Sequence, residues 1–218
     1  HHVLFDHAAG RYYLDWIDTN RLQTQVTEDP AIGLLLGPSL KFAMERVWRD
    51  DAPGRPNTWA LTIAITSASG IDPVVASVAL RTVVERVESP ADVQGLCHLL
   101  GDTSKAEVMG PALSRLSRFV SMSFADSGTP STSKMQSWAE VAVQAALIGH
   151  RLYVDAARFL LFTLSERADF SDRAFALIFG QAARQLLSLA WQFEPELSNL
   201  ASNAIRMVTK SFDTDVTA

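Results

Sequence analysis

The chain has 218 residues, 48% of them apolar and 20% charged, and a net charge of −5. That composition supplies apolar side chains for one large core or two smaller ones and excludes a chain disordered throughout. The acidic balance argues against nucleic acid as a partner, because phosphate binding leaves a basic footprint.

Fifteen of the basic residues are Arg and only four are Lys, and Arg is the better fork for carboxylate or phosphate. The single cysteine, Cys97, excludes an internal disulfide framework and a CxxC metal knuckle, and fits a reducing, cytoplasmic-type compartment. No basic stretch followed by an apolar core opens the sequence, so no signal peptide is expected. The longest uncharged run, 56–71, is too short and too rich in Thr and Ser to span a bilayer.

The first stretch, HHVLFDH, gathers His1, His2, Asp6 and His7, which are metal-ligand types. An unpinned end cannot hold fixed coordination geometry, so no metal site is expected there. RYYLDWIDTNRL (11–22) reads as a short amphipathic helix with Tyr12, Tyr13, Trp16 and Ile17 on its apolar side. After Gly37-Pro38, the stretch 39–50 places Leu40, Ala43, Met44, Val47 and Trp48 on one helical face. Asp50 and Asp51, beside Arg49 and Arg55, read as a solvated helix end and turn. A cation site would want further carboxylates at helical spacing, and none is adjacent.

NTWALTIAITSASG (57–70) is β-branched, yet it is predicted as a helix, with Asn57 as cap and Gly70 as stop, because no strand partner lies nearby. Asp72 and Pro73 open the next helix, whose stripe is Ala76, Leu80, Val83, Val84 and Val87. Ser89 and Pro90 open another, stopped by Gly101. Within it Cys97 and His98 are adjacent and therefore point about 100° apart, so they cannot form a nucleophile–base pair. Both are expected to be buried structural residues among Leu96, Leu99 and Leu100. SKAE (104–107) reads as a capping box, and Pro111 as the place where that helix stops or restarts. Arg115 and Arg118, three apart, share a helix face and could grip a carboxylate or phosphate.

ADSGTPSTSK (125–134) is small and polar, and is predicted as a linker (126–133) between an N-terminal sub-bundle (1–125) and a C-terminal one (134–218). After it comes a helix ending at Gly149. The next, 150–169, carries Tyr153, Ala156, Ala157, Leu160, Leu161 and Leu164 at helical spacing. The helix 171–193 is apolar nearly all round and should be the anchor of the second half, flanked by 150–168 and 195–210. One face runs through Phe175, Ile178, Phe179, Ala182, Leu186, Leu189 and Ala190, and Leu177, Leu187 and Trp191 widen it.

The predicted fold is all-α, with eight to ten helices in an irregular bundle or solenoid-like stack. Intervals between helix starts drift from about 15 to nearly 40 residues, whereas regular helical pairs repeat near 40. The chain lacks dinucleotide, P-loop, HExxH, GxSxG and helical ExxH signatures, so no catalytic residue, metal or cofactor is predicted. The reading favours a non-catalytic interaction or scaffold protein that binds a protein partner or itself through apolar helix faces. The candidate binding residues are Phe179, Arg184, Trp191, Arg115 and Arg118. The alternatives are a helical ligand-binding domain or enzyme, with a pocket near Phe159, Phe162, Phe175, Phe179 and Trp191, and a self-assembling structural or nucleocapsid-type protein.

Overall fold

The structure, a computed structural model, describes residues 2–126, 130–193, 195 and 197–212. The described residues form eleven α-helices and no strand. The all-α prediction therefore stands, and the count exceeds eight to ten because two short N-terminal helices escaped the periodicity. The chain divides into two compact units, His1–Arg86 and Val87–Ala218.

The first unit holds α1 (His2–Ala8), a π-helical turn (Ala9–Tyr13), α2 (Thr19–Thr27), α3 (Pro30–Asp50), α4 (Pro56–Ser67) and α5 (Pro73–Arg86). Carboxylates start its helices. Asp18 accepts hydrogen bonds from the Asn20 and Arg21 amides, at 3.0 and 3.2 Å. Asp29 does the same for Ala31 and Ile32. Each occupies donors that the first helical turn leaves free. The helix α3 packs on α1, α2 and α5. It runs straight through Gly37-Pro38, where the sequence suggested a start, and the predicted stripe Leu40, Ala43, Met44, Val47 and Trp48 is buried.

The amphipathic helix expected over 11–22 does not form. The chain breaks after Tyr13, α2 begins at Thr19, and Tyr12 and Ile17 are 79% and 78% exposed. Asn57 does not cap α4 either. The Asp51 carboxylate accepts from the Thr58 amide and hydroxyl, both at 2.8 Å, and from the Asn57 side-chain amide at 2.9 Å. Arg55, in the left-handed region at φ 57°, donates to the Trp48 carbonyl at 2.8 Å and locks the corner between α3 and α4. The threonines of α4 tolerate the helix because their hydroxyls are satisfied locally. Thr62 donates to the Thr58 carbonyl and Thr66 to the Thr62 carbonyl, both at 2.8 Å.

The second unit holds a 3-10 turn (Pro90–Val93), α6 (Gln94–Leu100), a second 3-10 turn (Thr103–Lys105), α7 (Ala106–Asp126), α8 (Thr132–Ile148), α9 (Arg151–Arg167), α10 (Arg173–Phe193) and α11 (Leu200–Phe212). Ser89 does open its turn, bonded reciprocally with Asp92, whose carboxylate accepts from the Ser89 amide at 3.1 Å and hydroxyl at 3.0 Å. The SKAE box does not form. Ser104 instead donates to Asp102 at 2.5 Å. The helix α7 continues through Pro111 because burial of Ala112, Leu113, Leu116, Val120 and Phe124 outweighs one missing backbone bond.

The stretch 126–133, expected as a linker between sub-bundles, lies inside this second unit, where α7 on one side of it packs on α9 on the other. Residues 127–129 are outside the described residues. From α7 the packing passes to α9, to α8, to α10 and to α11. The anchor helix α10 thus takes α8 and α11, rather than α9 and α11, as its main neighbours. No helix among the described residues is long and apolar enough to cross a membrane.

Candidate binding surface

The helix α10 is apolar nearly all round, but only one side of it is covered. Phe175, Phe179, Ala182, Ala183, Leu186 and Ala190 are buried. Phe170 joins the two phenylalanines, with ring centroids 5.5 Å from Phe175 and 5.0 Å from Phe179. Leu177, Arg184, Leu187 and Trp191 face outward instead, and Trp191 is 95% exposed. The expectation of a helix enclosed on all sides is therefore corrected.

The packing of α11 on α10 explains how that outer face is built. Gly180 lies so close to α11 that a Cβ there would meet the Ser211 hydroxyl at 2.8 Å. The Arg184 guanidinium then sits 6.0 Å from the centre of the half-exposed Phe212 ring. Leu177, Arg184 and Trp191 recur every seven residues and so share one side of α10.

The five candidate binding residues do not converge. Phe179 is fully buried in the core and cannot present itself to a partner. Arg184 and Trp191 lie on the outer face of α10. Arg115 and Arg118 are exposed on α7, which packs on α9. The pocket imagined between Phe159, Phe162, Phe175, Phe179 and Trp191 also comes apart. Phe159 and Phe162 line an open cleft of about 410 Å³ beside Ser121, Glu166 and Arg167, while Phe175 and Phe179 are core residues.

Cys97 and His98 sit on α6 as adjacent helical residues; Cys97 is half-buried and His98 exposed, so neither is the fully buried residue expected. Burial, then the charge of Glu140, pushes the Cys97 thiol up to about 12. Burial also pushes the Glu140 carboxyl up. A reactive thiol needs the opposite environment. His150 and Tyr153 approach at 5.4 Å between ring centres, and Glu107 Oε1 lies 3.8 Å from His150 Nε2. The Tyr153 hydroxyl and His150 Nδ1 are buried with no hydrogen-bond partner among the described residues. Burial, followed by the charge of Asp102, raises the Tyr153 phenol, which makes it a poorer acid. No three His, Cys, Asp or Glu side chains gather as metal ligands among the described residues; His1, from the terminal histidine cluster, lies outside them.

No protein-family model, curated protein or solved structure matches the chain.

Proposed function

We propose that this chain is a non-catalytic helical interaction protein that binds a protein surface, either a second copy of itself or another protein, through the outer face of α10. Trp191 carries the reading. A tryptophan 95% exposed on a helix whose opposite side is core contributes little to folding. Tryptophan is also among the residues that most often dominate interface energies. Leu177 and Leu187 extend its apolar reach, and Arg184, beside Phe212, adds a charged fork at the rim.

The test compares wild type with Trp191→Ser and Leu187→Ser by light scattering over a range of concentrations, and by affinity capture in parallel. Self-association, or capture of one protein, that disappears in both variants while their melting temperatures hold would support the reading. A wild type that stays monomeric and captures nothing the variants fail to capture would reject it.

A further inference from the structure

The first unit contains a cleft of about 280 Å³ between the end of α1, the π-helical turn and α3. We propose that this cleft is a binding site for a dianionic phosphate group, as in a phosphate monoester. Three arginines line it: Arg11 from the turn, and Arg46 and Arg49 from α3. The carboxylate in the lining is Glu45, and it is already engaged by Arg86 Nη2 at 2.6 Å. Three arginines against one glutamate leave the lining two positive charges in excess, before the Arg86 that pairs with that glutamate is counted, within a chain whose net charge is −5. A phosphate dianion balances that excess, and a single carboxylate does not.

The construction of the cleft points the same way. Phe42, Arg46 and Arg49 follow one another at spacings of four and three, so they share a face of α3. Gly10 brings the turn against that face. A Cβ at Gly10 would collide with the Ser39 carbonyl oxygen and with Phe42 Cβ, so only glycine permits the approach. His7 packs edge-on to Phe42, with ring centroids 5.3 Å apart, and completes the wall.

Arg46 is held in place without using its donors. Its guanidinium lies 4.0 Å from the centre of the Trp16 ring, an attraction that fixes direction but consumes no N–H group. Its Nε is buried and has no hydrogen-bond partner among the described residues. Neither Arg46, Arg49 nor Arg11 makes an ion pair with another described residue. Most arginines of folded chains are paired or freely solvated. A partly buried guanidinium, stacked and unpaired in a cationic cleft, is preorganised for an oxyanion that can take its fork. The volume lies at the lower end for small-molecule sites, which suits a phosphate group better than a whole nucleotide.

The test titrates the full chain with inorganic phosphate, phenyl phosphate and succinate, at matched ionic strength, by calorimetry and phosphorus NMR. We expect saturable binding at one site for both phosphates and much weaker binding of succinate. Arg46→Gln and Arg49→Gln should each weaken phosphate about ten- to hundredfold, the range for losing hydrogen bonds to a charged group. Trp16→Leu keeps every charge and should still weaken phosphate about tenfold, because Arg46 is no longer held. Arg21→Gln removes an equal charge from the same unit outside the cleft and should bind as wild type does. Circular dichroism confirms that each variant is folded. The proposal fails if phosphate does not saturate, if Arg46→Gln binds as wild type, if Arg21→Gln weakens binding as much as Arg46→Gln, or if succinate binds as tightly as phosphate.

Discussion

Cys97 and Tyr153 show how burial decides the chemistry of a side chain. Both are weak acids whose charged forms the second unit disfavours, since burial raises the thiol to about 12 and raises the phenol as well. At pH 8 the native thiol is almost wholly protonated. Iodoacetamide should therefore modify Cys97 more than about a hundredfold more slowly in native than in unfolded protein. Glu140→Gln removes a charge that helps hold the thiol neutral and should speed this reaction. The folded value lies above the unfolded one, so the stabilising contribution is complete below roughly 8.5 and is lost as pH rises through about 12. Denaturant melts from pH 7 to 11 should thus show stability falling on the alkaline side, and less steeply in Cys97→Ala. Tyr153 adds a second expectation. Its hydroxyl is buried without a partner among the described residues, so Tyr153→Phe removes an unsatisfied group and keeps the ring. It should leave stability unchanged or raise it by about 1 kcal/mol, measured by urea denaturation at pH 7. A loss above that amount would mean that the hydroxyl has an acceptor in solution.

At the scale of the element, apolar stripes were legible and helix ends were less so. The faces of α3, α5 and α9 were readable because burial imposes a period of 3.6 on the sequence, and every stripe residue named for them is buried. Ends depend on which polar side chain reaches which amide, and that choice is made in three dimensions. Asp51 caps α4 from seven residues before Thr58, a distance that no local capping pattern contains. Pro38 and Pro111 look like boundaries in sequence, but both lie within helices whose following residues are buried. The close approach of α7 and α9 was equally invisible, because Gly110 reads locally as a helix breaker. A Cβ on Gly110 would meet Leu152 Cβ at 2.5 Å and its Cδ1 at 2.7 Å. Replacing a helical glycine by alanine ordinarily stabilises by about 0.5–1 kcal/mol. Here overpacking, at about 1–3 kcal/mol, outweighs that gain, so Gly110→Ala should lower stability and the melting temperature. A more stable Gly110→Ala would show that α7 and α9 can separate at this point without loss.

For the whole molecule, composition alone indicated a large buried core, but not its division. The predicted break followed the most polar stretch, 126–133, whereas the boundary between compact units falls at 86/87, beside the fully buried Val87. Composition does not locate such a boundary, because 85–92, ERVESPAD, is a short charged helix end and cap like those at other helix junctions, and lacks the run of small polar residues that marks 126–133. The cationic cleft was missed for a related reason. Arg46 and Arg49 look like ordinary surface charges in sequence, and only Gly10 and Trp16, some thirty residues earlier, turn them into a site.

Two units, each with its own core, lead to a prediction that separates them. In the second unit Phe179 is fully buried within the Phe170, Phe175 and Phe179 ring cluster, so Phe179→Ala should cost about 3–5 kcal/mol there. That is a large fraction of a typical domain's stability, enough to raise the opening frequency of α8, α10 and α11 by about a hundredfold or more. Hydrogen exchange at pH 7 should then speed up across these helices. Amides of α4 and α5, whose core is built from Trp59, Ile65, Leu80 and Val83 of the first unit, should keep their wild-type protection. Equal acceleration in both units would mean that they unfold as one cooperative body, and that the division at 86/87 has no energetic counterpart.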